Sequence, residues 1–96
     1  MSRYPEPIIR ATDFFNKDDF KVEFGVYVKN FKGDREELVL INDGTADLTF
    51  TAGGIKNFKL KPGETFDEEM HPFSRLEVTA TGAFRGYTRE RADSPN

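Results

Sequence analysis

This chain of 96 residues has no cysteine, no tryptophan, a single histidine and no long apolar run. Each shortage closes a class of function. Without cysteine there is no disulfide scaffold, no thiolate zinc site and no thiol nucleophile. His71 has no second histidine to work with, and no GxSxG or HExxH motif accompanies it. Ser74, three residues further on, reads as turn chemistry, so no catalytic set is expected. No stretch approaches the ~20 apolar residues that carry a helix across a bilayer. The start, MSRYPEPIIRATDFF, lacks the basic opening and apolar core of a signal peptide, so a cytoplasmic location is expected. A formal net charge of −3 with both signs interspersed argues against a nucleic-acid binder held by phosphate contacts.

The chain does have aromatics, ten Phe and three Tyr, enough to give a short single domain a dense core. The organising stretch is Leu38 to Phe66. Leu38 to Ile41 is apolar on both faces and predicts a central strand. Asn42-Asp43-Gly44-Thr45 is a turn in which Gly44 is expected at positive φ and Asp43 is expected to bond its own backbone. Leu48 and Phe50 then point inward, and Gly53-Gly54 makes a hairpin between Phe50 and Ile55. Residues 20–30, FKVEFGVYVKN, read as one strand. Phe20, Val22, Phe24, Val26 and Val28 fall on its buried face, Tyr27 on its solvated face, and Gly25 at a bulge or close approach. A loop bending at Gly33 follows it. Ser74 to Thr81 places Leu76, Val78 and Ala80 inward. Gly82 permits a reversal, and residues 83–90 return with Gly86 as a bulge that re-phases Phe84 and Tyr87. Six or seven strands with frequent turn signals predict an all-β fold, a small β-sandwich of immunoglobulin-like or jelly-roll-like kind.

Three regions are expected: residues 1–19 as an N-terminal arm or first strand, residues 20–90 as the sandwich, and residues 91–96 as a polar tail. Pro5 and Pro7 deny the first region a regular pattern. Its Tyr4, Ile8, Ile9, Phe14 and Phe15 must still find a surface, either the domain's own or a neighbour's. With no catalytic set, the expected work is protein–protein contact, including self-association. Ile8, Ile9, Phe14, Phe15, Tyr27, Arg85 and Tyr87 are the candidate interface residues, because aromatic and arginine side chains dominate interface energetics. Tyr87, between Arg85 and Arg89, also has the makings of a stacking platform for a base or sugar. The acidic run Glu64, Asp67, Glu68, Glu69 beside His71 is read as a charge-blunted edge rather than a calcium loop. No cofactor or metal is expected.

The succession INDGTADLTF, FKLKPGETF and PFSRLEVTATGAFRGYTRE resembles a small immunoglobulin-like sandwich. Ile41 to Glu90, above all the closing LEVTATGAFRGYTRE, is similar to small accessory proteins encoded in tailed-phage structural gene clusters. That resemblance implies a virion component assembled in the host cytoplasm, decorating the capsid or bridging subunits of head or tail. A module recognising a cell-surface glycan is the alternative.

Overall fold

The computed structural model describes residues 8–92. Seven strands follow one another, with one 3-10 turn at Lys17–Asp19. They are β1 (Ile8–Asn16), β2 (Lys21–Glu23), β3 (Val26–Asn42), β4 (Leu48–Ala52), β5 (Ile55–Leu60), β6 (Thr65–Thr79) and β7 (Phe84–Ala92). The expectation of an all-β fold of six to seven strands holds. All pairings are antiparallel, in the order β1-β7-β3-β6-β4-β5, with β2 added beside β3.

The two long strands β3 and β6 make two layers from this one sheet. Their pairing is regular from Tyr27↔Val78 to Asn30↔Arg75 and again from Glu37↔Glu69 to Ile41↔Thr65. Between these stretches the register shifts twice, first across Phe31–Asp34 and then across Met70–Pro72. Bulges of this kind bend a strand and let it pass from one layer to the next. The upper layer is β1, β7, the second half of β3 and the first half of β6. The lower layer is β2, the first half of β3, the second half of β6, then β4 and β5.

Between the layers lie Phe15, Phe20, Leu38, Leu40, Leu48, Phe50, Phe66, Phe73, Leu76, Val78 and Phe84, all buried. Edge-to-face ring pairs tie the layers at each flank: Phe20 on Phe84 at 5.1 Å, and Phe66 on Phe50 at 4.8 Å. Each such side chain contributes roughly 1.5–3 kcal/mol by leaving water. The β3 run Leu38–Leu40 is buried on both faces, as its composition requires.

Several local expectations are corrected. Residues 20–30 are not one strand. Phe24 and Gly25 both take positive φ (51° and 79°) and reverse the chain, so β2 and β3 form a hairpin in which Val22 pairs with Tyr27. Gly25 is therefore a turn residue. Tyr27 faces the core, with its ring 5.7 Å from that of Phe84. Gly44 is not at positive φ. A Cβ on it would come within 3.1 Å of the Gly82 Cα, so two loops meet there through paired glycines. The turn bond comes from buried Asn42, not Asp43: its Oδ1 accepts from Gly44 N at 2.9 Å, while its Nδ2 donates to the carbonyls of Ala46 and Leu60. Gly86 is no bulge, because β7 runs in even register along β3. Its missing Cβ leaves room for the Val39 carbonyl and for the Phe15 ring carbons at 3.0 and 3.1 Å.

Residues 8–16 form a paired edge strand against β7, from Ile8↔Ala92 to Asn16↔Arg85. Asn16 then caps the 3-10 turn with its side chain, and Asp19 returns the bond to the Asn16 N–H. Met1 to Pro7, with Tyr4, Pro5 and Pro7, lie outside the described residues, as does the tail after Ala92. Arg91 and Ala92, expected in that tail, belong to β7.

Candidate protein interface

A bulge in β1 decides which aromatic faces water. Between Thr12↔Thr88 and Phe15↔Gly86, β1 carries one residue more than β7, and Asp13 takes the left-handed conformation (φ 54°). The insertion sends Phe15 inward, 5% exposed, and Phe14 outward, 69% exposed. Phe15 thus belongs to the core and is no surface anchor. Phe14 instead lies against Tyr87 with ring centroids 5.1 Å apart.

Asp13 has a structural reason for its strained backbone. Its carboxylate accepts from Arg35 Nε at 2.6 Å and from Thr88 Oγ1 at 2.8 Å. Arg35 also donates to the carbonyls of Lys32 and Asp34 and lies over the Phe31 ring. The bulge of β1 is thereby fastened to the bend of β3. The guanidinium holds the Asp13 carboxyl below its ordinary range.

Around the Phe14–Tyr87 pair the charges are committed. Arg89 grips Asp67 with two bonds, 2.7 and 3.2 Å, and sits 3.5 Å from Glu37 and over the Tyr87 ring. This pairing lowers the Asp67 pKa and raises that of Arg89. Arg85 bonds Asp43 at 2.7 Å. Both arginines that flank Tyr87 in sequence are therefore clamped, and the pair they frame is an apolar contact patch with a fixed polar rim. The backbones of Ile8 and Ile9 lie in β1, further along the same edge.

A second exposed apolar feature is the β2–β3 hairpin tip, where alternation predicts a buried strand face. Phe24 is fully exposed and Val22 is 60% exposed. A third is Phe58 on β5, 42% exposed, whose ring meets those of Phe50 and Phe66. The signal for Phe24 was present in the dipeptide Phe24-Gly25, since glycine is the preferred second residue of a two-residue hairpin turn.

The edges of both layers are blunted. β1 bulges, and β2 is three residues long. β5 has Lys56 and Lys59 and a left-handed Asn57 (φ 53°), and the first half of β6 bears Asp67, Glu68 and Glu69. Such devices discourage strand-to-strand pairing between molecules.

The acidic run behaves as an edge. Glu64 accepts from the Lys61 N–H, and Asp67 serves Arg89. Among the described residues, no group of three or more His, Asp or Glu is arranged to hold a metal ion. His71 lies against the Gly53–Gly54 turn, its Cδ2 3.1 Å from where a Gly54 Cβ would stand. Among the described residues, no buried side-chain nitrogen or oxygen lacks a hydrogen-bond partner, and no helix is long and apolar enough to cross a membrane. Compared with family models, curated proteins and solved structures, the chain finds no match.

Proposed function

We propose that this protein is a non-enzymatic assembly component that works by protein–protein contact, associates with itself, and serves as an accessory part of a phage head or tail. The observation that carries this reading is the contrast between buried polar side chains that, among the described residues, all find hydrogen-bond partners and aromatics that are not covered. Phe14 and Phe24 stand in water on a domain whose sheet edges are all protected. Exposed aromatics framed by fixed polar groups are the usual anatomy of a contact surface. The resemblance of Ile41 to Glu90 to phage accessory proteins supplies the setting, a virion assembled in the host cytoplasm.

Purified particles of the encoding phage, probed with an antibody to this chain, test the reading. The protein is expected to remain with intact particles at fixed stoichiometry. A Phe14→Ser chain is expected to fold normally, since Phe14 is 69% exposed, and to attach more weakly. Absence from particles, together with capture of the soluble domain by a defined glycan, would favour the sugar-binding alternative.

A further inference from the structure

We propose that the Phe24 hairpin tip inserts into a surface hollow of a second copy of this chain, and that the contact is made twice, reciprocally, in a two-fold dimer. Phe24 occupies a position where its own fold has no use for it. Its φ of 51° is a conformation that bulky residues avoid, and Asn, Asp or Gly would fill the same turn without penalty. Its ring is fully exposed, so no packing offsets that strain. A strained residue that contributes nothing to its own core is a candidate for function.

The receiving site lies on the same molecule. Phe58, Leu60 and Phe66 line a hollow of about 560 Å³ between β5 and the first half of β6, a volume within the range of sites that accept a ligand. Its rim carries Glu64 and Glu68 against Lys59, while the Asp67 carboxylate there is taken by Arg89. Near the tip the charge available is positive. Exposed Lys21 stands three residues before Phe24, while Glu23 is engaged by Arg75 at 3.4 Å. An aromatic knob beside a lysine thus matches an aromatic hollow beside carboxylates.

Placement makes the match reciprocal. Tyr27 is level with Val78, Val78 with Phe50, and Leu48 with Leu60, so the tip and the hollow share one end of the sandwich. They stand on its opposite margins, because β2 and β5 border the lower layer with β3, β6 and β4 between them. Four strand spacings separate these margins by roughly 19 Å. A two-fold axis near the sheet normal at that end sets each tip against the other molecule's hollow, which is the self-complementary arrangement of a closed dimer.

The inference rests on the reading of this chain as a self-associating protein, and the test separates the two. Sedimentation equilibrium across a concentration series is run on the wild type, on Phe24→Asn, on Phe58→Ser, and on an equimolar mixture of the two variants. Glu68→Lys, on the exposed rim, is a second hollow variant for use if Phe58→Ser lowers stability. The wild type is expected to dimerise, and each variant alone to do so at least about 30-fold more weakly. The mixture is expected to recover association, because an intact tip on one variant then meets an intact hollow on the other. A wild type that stays monomeric, a Phe24→Asn chain that dimerises as well as the wild type, or a mixture no better than its parts would each overturn the proposal. Attachment to particles in any of those cases would leave the reading as a particle component standing, and a monomeric wild type would remove only its self-association.

Discussion

Two hairpin turns in this molecule share one backbone and differ in everything else. Gly53-Gly54 joins β4 to β5 with φ of 53° and 85°, and Phe24-Gly25 joins β2 to β3 with φ of 51° and 79°. The first is packed: a Cβ on Gly53 would stand 2.5 Å from the His71 carbonyl oxygen and 3.2 Å from side-chain carbons of Met70. A Cβ on Gly25 would meet nothing within 4 Å beyond its chain neighbours. Where the fold needs the turn, the sequence uses the residue that lets the neighbour approach. Where the fold leaves the turn in open water, it carries a phenylalanine that the backbone disfavours. The contact role proposed for Phe24 rests on this contrast.

The largest effect is expected at the packed turn. Gly53→Ala combines left-handed strain with a clash against main chain that cannot move cheaply, and is predicted to lower stability by about 3 kcal/mol in urea unfolding. Equal stability of Gly53→Ala and wild type would dissolve the distinction between the turns. Next comes the other residue at positive φ whose reason is visible. Asp13→Ala removes the part-buried bonds that Asp13 accepts from Arg35 and Thr88, and a loss of about 2 kcal/mol is expected. The same carboxylate sets a pH signature. Its pKa is lowered on folding, so its contribution is complete above the ordinary aspartate value of 3.8 and fades as pH falls through the folded value. Stability of Asp13→Ala should therefore fall less steeply in acid than that of the wild type, and parallel acid limbs would remove Asp13 from the account. A smaller effect belongs to the open turn. Gly25→Ala meets only backbone strain, roughly 1 kcal/mol, and a loss as large as that of Gly53→Ala would show that the tip is packed after all.

Much of this architecture is legible in the sequence, and the gaps have physical causes. Leu48, Phe50 and the Gly-Gly pair announce β4 and its hairpin because alternation, turn and length agree locally. Residues 20–30 mislead for a geometric reason. A two-residue turn pairs Val22 with Tyr27 and Glu23 with Val26, so partners have opposite parity in the sequence. Alternation read straight through the turn therefore sends Tyr27 to the wrong face. Asp13 and Arg35 meet across a bulge and a bend, and nothing near either residue signals the other. The turn pattern marks Gly44 as a glycine position but not the reason for it, since its partner Gly82 lies in a distant loop. Of the candidate interface residues, Phe14 and Tyr87 come together, Arg85 is clamped to Asp43, and Phe15 and Tyr27 turn inward. One extra residue in β1 separates Phe14 from Phe15, and alternation does not reveal it.

The most direct test of the central claim is the urea midpoint of Phe24→Asn, measured beside wild type at a concentration where both are monomers. If Phe24 serves contact and not folding, asparagine relieves the left-handed strain and removes exposed apolar surface. The midpoint should then rise, by an equivalent of about 0.5–1 kcal/mol at unchanged slope. A midpoint below that of the wild type would mean that the domain depends on the ring, and would contradict the account.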